Sequence, residues 1–129
     1  MTRVLASLAG LLVAAACLAA SRPADRGAPF GAVFPGAAVS STQSAAGCGE
    51  RYAFSARAAL PQVAQFYLLE GEQAGLTKMA DTDAGDPTYR MISFIRPHHH
   101  QLLFVVLSGT SSATRGTVFY SPANTRPCT

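Results

Sequence analysis

Tryptophan is absent from this 129-residue chain, and lysine occurs once, at Lys78. Cysteine occurs three times, and charged residues make up only 13% of the sequence. The scarcity of charge excludes a polyanion-binding surface. The formal net charge is +3, and the arginines that supply it are scattered rather than clustered, so nucleic acid is not an expected partner. Catalytic signatures are missing as well. No GxSxG elbow, no Gly-Lys-Ser/Thr phosphate loop and no CxxC pair appears. Glu50, Glu70 and Glu72 lie in unrelated contexts, and Asp81, Asp83 and Asp86 read as turn residues rather than as an acid–base pair. These absences point to a protein that is not an enzyme.

Long apolar runs are also missing after the first twenty residues; "LLFVVL" (102–107) is strand-sized. The first twenty have the three-part layout of a secretory leader. Arg3 is followed by an uncharged apolar stretch from Val4 to Val13 and then by small residues around Cys17. Residues 1–20 are therefore expected to be a signal peptide. "AAAC" (14–17) resembles the lipobox of bacterial lipoproteins, although Ala14 stands where a larger aliphatic residue is usual. Cleavage before Cys17 would leave that cysteine as a lipidation site and membrane anchor in the cell envelope, facing the periplasm. Cleavage after Ala20 or Ser21 would remove it and release a soluble protein into the periplasm or outside.

Either cut leaves Cys48 and Cys128 in a compartment that permits disulfides. A bond between them closes a loop of roughly 80 residues and contributes about 4 to 5 kcal/mol on the chain-entropy model.

Residues 21–36, rich in Pro, Gly and Ala, read as a tether, and 37–129 as a single α+β domain. Residues 37–47 give a weak strand, "SAAGCG" a turn, and "ERYAFSA" (50–56) an alternating strand with Tyr52 and Phe54 on one face. Pro61 opens a helix whose inner face carries Leu60, Val63, Phe66 or Tyr67, and Ala74. Gly71 weakens that helix, and Gly75 ends it. Strands follow at 76–82, 88–95, 101–107 and 116–121. The expected fold is an N-terminal hairpin, one amphipathic helix, then a four-stranded antiparallel run forming a single sheet.

The Pro35-Gly36-Ala37 turn and the helix with Val63, Phe66, Tyr67 and terminal Gly75 resemble a pattern in small uncharacterised exported proteins and lipoproteins of bacteria. Leu76 stands where that pattern often has an aromatic. The resemblance implies a fold and a compartment, and no activity.

Two features carry functional expectations. His98 and His100, in "RPHHH", would project to one side of an extended strand and begin a zinc or copper site. No other histidine exists to complete it, and the plainer reading is a polar connection between strands. The second feature is the sheet. "LLFVVL" is apolar on both faces: Leu102, Phe104 and Val106 on one, Leu103, Val105 and Leu107 on the other. In the preceding strand Met91 and Ile95 oppose Ile92 and Phe94. One helix covers one face, so Met91, Ile95, Leu103 and Val105 are candidates to meet a partner. The cover is either residues 27–46 folding back through Phe30, Val33 and Phe34, or a second subunit, or another envelope protein.

Overall fold

The structure is a computed structural model that describes residues 29–45 and 49–122. The leader, Cys17 with both cleavage points, residues 21–28 of the expected tether, Cys48 and Cys128 lie outside the described residues. So does the tip of the first hairpin, 46–48.

The chain runs β1 (Ala38–Ala45), β2 (Gly49–Ala56), α1 (Leu60–Gln73), β3 (Thr77–Thr82), β4 (Tyr89–Arg96), a 3-10 turn (Pro97–His99), β5 (Gln101–Gly109) and β6 (Thr114–Ser121). All six strands form one antiparallel sheet in the order β1-β2-β6-β5-β4-β3, with α1 on one face. The fold is α+β. The expectation of a four-stranded sheet with its own leading hairpin is corrected by one pairing. β2 lies against β6, from Glu50 opposite Tyr120 to Ala56 opposite Thr114. The first two strands thereby continue the sheet past its last strand. Alternation within β2 shows that Tyr52 and Phe54 need a buried side, but carries no information about which strand lies next to it.

Tyr52 and Phe54 of β2, Ile92 and Phe94 of β4, Leu103, Val105 and Leu107 of β5 and Val118 of β6 all point toward α1 and are buried. The helix answers with Leu60, Val63, Ala64, Tyr67 and Gly71. Gly71 is more than a weak point in the helix. A β-carbon there would sit 2.5 Å from the Phe94 ring, so its absence lets the helix lie directly on β4. Gly116 has the same role within the sheet: it stands opposite Phe54, whose ring crosses the space a side chain would fill.

The end of α1 follows from its sequence. Gly75 has φ 75°, the left-handed backbone of a C′ glycine. Its N–H donates to the Glu72 carbonyl, and the Leu76 N–H donates to Gly71, which is the paired bond set of a Schellman motif. Arg96, at the far end of β4, donates from Nη2 to the Ala74 and Gly75 carbonyls at 3.1 and 2.9 Å. A cation from another strand thus meets the negative end of the helix, whose own last turn has no basic residue.

Residues 29–36 were expected to belong to a tether, but they pack onto the domain. Phe30 is buried against Tyr120, and Phe34 lies edge-on to Phe66. Gly31, at φ 88°, rests its backbone on the Tyr120 ring. The Ala32 carbonyl accepts a hydrogen bond from the Tyr52 hydroxyl at 2.8 Å, and the Ala32 N–H donates to Glu70 at 3.2 Å. The segment fills the part of the helix-side face that one short helix leaves open above β2 and β6.

Both edge strands are bulged, β1 between Val39 and Ser41 and β3 between Lys78 and Ala80. β1 offers mostly Ser, Thr and Gln, and the single lysine stands beside the β3 bulge. Both devices blunt pairing with a foreign strand.

Candidate functional site

The strand registers decide which side chains share the face away from α1. Met91 pairs with Val106, and Val106 with Thr117; Ile95 pairs with Leu102; Phe104 pairs with Phe119. Directly paired residues point to the same side. Met91, Ile95, Leu102, Phe104, Val106 and Phe119 therefore make one apolar surface across β4, β5 and β6, and each is half-buried. No described helix or strand packs over it. A hollow of about 380 Å³ lies on it, lined by Arg51, Phe104, Val106, Thr117 and Phe119. A second, of about 570 Å³, adjoins it through Arg51 and Phe119 and runs toward the β1–β2 end at Gln43, Ser44 and Gly49. The result is a shallow apolar trough with one guanidinium on its wall.

Of the four residues expected to face a partner, Met91 and Ile95 lie on this surface. Leu103 and Val105 do not. Leu103 pairs with Phe94 and Val105 with Ile92, and all four are fully buried beneath the helix. The alternation of β5 separates Leu102, Phe104 and Val106 from Leu103, Val105 and Leu107 correctly, but it does not say which set the helix takes. That depends on the tight β4–β5 connection, which sets the parity of one strand against the other. Phe119, Thr117 and Arg51 were not anticipated on this surface, because β6 and β2 join β5 only through long-range pairing.

Phe30 and Phe34 do not cover this face either. They sit on the helix side, in an aromatic chain that runs from Phe34 to Phe66, Tyr67 and Phe54, and from Phe30 to Tyr120 and Tyr52. Within it the Tyr52 and Tyr67 hydroxyls are 2.9 Å apart. Tyr52 has one hydroxyl proton and gives it to Ala32, so Tyr67 is the donor between them. Burial raises the pKa of both. Tyr67 is pushed up to about 12 and Tyr52 goes higher, burial being the largest cause for each. Through Tyr52 the pair holds the segment at Ala32 against the sheet.

His98 and His100 are not on an extended strand. Pro97 starts a 3-10 turn that takes in His98 and His99, and His100 has the left-handed φ of 51°. The reversal from β4 to β5 is too tight for strand geometry, so the alternation that would aim both imidazoles to one side does not apply. All three histidines are exposed, and among the described residues no group of three potential metal ligands is assembled.

At the opposite end of the sheet, Asp81 receives two hydrogen bonds from Arg90, at 2.7 and 2.9 Å. These bonds hold its carboxyl below the usual range and secure edge strand β3 to β4. A hollow of about 520 Å³ beside them is lined by Leu60, Pro61, Asp83 and Tyr89 among others. Both acids that line it are engaged within the fold, Asp81 by Arg90 and Asp83 by the Gly85 N–H.

No family model, no curated protein and no solved structure matches this chain. The resemblance to exported bacterial proteins rests on its residues alone. Among the described residues no helix is long and apolar enough to cross a membrane.

Proposed function

We propose that this chain is a small exported envelope protein, anchored by a lipid at Cys17, that works without catalysis by docking an apolar partner on the open sheet face. The observation that carries the reading is the six-residue apolar surface on β4, β5 and β6, with no described element above it. A solvent-exposed apolar patch of this extent is costly to maintain unless something binds it. The leader layout and the residues around Cys17 support export and anchoring.

The same reading includes a disulfide between Cys48 and Cys128. Gly49 packs against the backbone of Tyr120 and Ser121, so the start of β2 and the end of β6 lie together at one end of the sheet. Cys48 directly precedes Gly49, and the six residues that follow Pro122 as far as Cys128 can span up to about 20 Å.

Two measurements test the proposal. Radiolabelled palmitate should enter the intact protein and not the Cys17→Ser variant; a processed protein with no label removes the anchor from the reading. In dilute solution the face should bind the dye 1-anilinonaphthalene-8-sulfonate, and Phe104→Asp should abolish its fluorescence enhancement while leaving the far-ultraviolet circular dichroism intact. Equal dye binding by both proteins would place the binding surface elsewhere.

A further inference from the structure

The segment best placed in the sequence to shield the open face is committed to the other side. Phe30 and Phe34 pack on the helix side of the sheet, against Tyr120 and Phe66, and Gly31 is pressed on the Tyr120 ring. An occupant of the open face must therefore be broad, flat and apolar, and must tolerate arginine. Among the described strand residues, the registers place Arg51 and Arg115 on this face and no acid.

We propose that a second copy of this chain covers the face, sheet against sheet, in a two-fold dimer. The inference rests on the reading of that face as a binding surface. Area is the first support. Strands about 4.8 Å apart with a rise of about 3.3 Å per residue give the six-stranded face roughly 29 by 26 Å, or about 750 Å² per copy, half of it the apolar strip of β4, β5 and β6 and the rest Arg51 with small or polar residues. Stable complexes bury about 800 Å² per partner. Two such faces packed about 10 Å apart, as in any sandwich of sheets, would bury a surface of dimer size.

Symmetry and charge supply the second. In the order β1-β2-β6-β5-β4-β3, the midline falls between β6 and β5. A two-fold axis along the strands at that midline lays β6 over the partner's β5 and β2 over the partner's β4. The two Arg51 residues then lie on opposite sides of the axis. Phe104 and Phe119, directly paired in one sheet, meet the same pair in the other, which is the self-complementarity an isologous contact needs. Arg115 stands opposite Ser108, at the end of the sheet where the turn before β4 carries Asp83 and Asp86. The axis keeps those ends together. Arg115 therefore approaches the partner's acidic turn, a rim contact that favours this orientation over its inverse.

The experiment uses the full exported chain carrying Cys17→Ser, so that no lipid contributes to association, without reductant, and non-reducing electrophoresis first shows that no intermolecular disulfide is present. Sedimentation equilibrium should give twice the monomer mass at micromolar concentration. Phe104→Asp should raise the dissociation constant by about 30-fold or more, the effect of losing one central anchor. Arg115→Glu should raise it by a smaller factor that shrinks with added salt. In the Cys17→Ser protein with Phe104 intact, methyl resonances of Met91, Leu102 and Val106 should shift with concentration while those of Leu103 and Val105 stay fixed. That readout decides the matter even if Phe104→Asp fails to fold. A protein that is monomeric up to about 1 mM, or a dimer in which the methyls of Leu103 and Val105 move and those of Val106 do not, overturns the proposal. A monomer that still binds the apolar dye through Phe104 overturns the dimer but leaves the binding face standing. A monomer that binds no dye removes both.

Discussion

Gly71 shows how one missing side chain can set the distance between two layers. Alanine is the better helix former by up to about 1 kcal/mol. Here its methyl would meet the Phe94 ring at 2.5 Å, and overpacking of a filled core costs about 1 to 3 kcal/mol. Gly71→Ala should therefore destabilise the fold by roughly 1 to 2 kcal/mol in urea unfolding despite the gain in propensity. Phe94→Leu should recover part of that loss when combined with it, a coupling that a double-mutant cycle measures. The tyrosines make a second residue-scale prediction, about pH. Tyr67 is pushed up from 10.0 to about 12 by burial, and Tyr120 to about 12, chiefly by its hydrogen bond to Glu50. Both are held protonated in the folded protein at a pH where the unfolded chain ionises. Their contribution to stability is complete below pH 10 and disappears as the pH rises toward 12. Chemical denaturation at a series of pH values should show stability falling across that window. Tyr67→Phe should flatten part of the fall.

At the scale of elements, α1 is closed by two devices of different origin. The Schellman bonds and Gly75 lie within the helix and the three residues after it. The Arg96 contact comes from β4 and depends on the helix and strand lying side by side. Arg96→Ala should remove two hydrogen bonds from a charged donor and cost on the order of 2 kcal/mol, read as a lower midpoint in thermal or urea unfolding. Arg96→Lys should recover only part, because an ammonium does not reproduce the planar fork of guanidinium. Edge strand β3 depends on Asp81 and Arg90 in a different way. The folded carboxyl of Asp81 is held below its ordinary pKa. Its contribution is present at neutral pH and is lost as the pH falls below the ordinary carboxylate range. The pair is partly exposed, so Asp81→Asn should cost under about 1 kcal/mol at pH 7. The difference between the two proteins should vanish at low pH. Helix and strand identity were both legible locally, from Pro61, Gly75, and the alternation of Tyr52 with Phe54. The parity of β5 against the helix was not, and it moved Leu103 and Val105 from the expected partner side to the core.

For the whole molecule, the β2–β6 pairing controls two properties at once. It joins the first strands to the last, and it brings Gly49 beside Ser121 at one end of the sheet. A thiol-reactive probe should modify Cys48 and Cys128 only after reduction. Reduction should lower stability by up to about 4 kcal/mol if the cross-link restrains the unfolded chain as the entropy model describes. Labelling of either thiol without reductant would disprove the pairing.

The sequence by itself determined the short-range features. They are the run of strands around one helix, the glycine that ends that helix, and the presence of two apolar faces on the central strand. Each follows from side-chain periodicity or from backbone restrictions acting over a few residues. Tertiary structure alone decided that Gly71 is a contact, that Phe30 and Phe34 lie on the helix side of the sheet, and that Arg96 caps the helix from another strand. It also decided which face stays open. A strand's own alternation is symmetric between its two sides. Only pairing with distant strands, and the position of the helix on the finished sheet, breaks that symmetry.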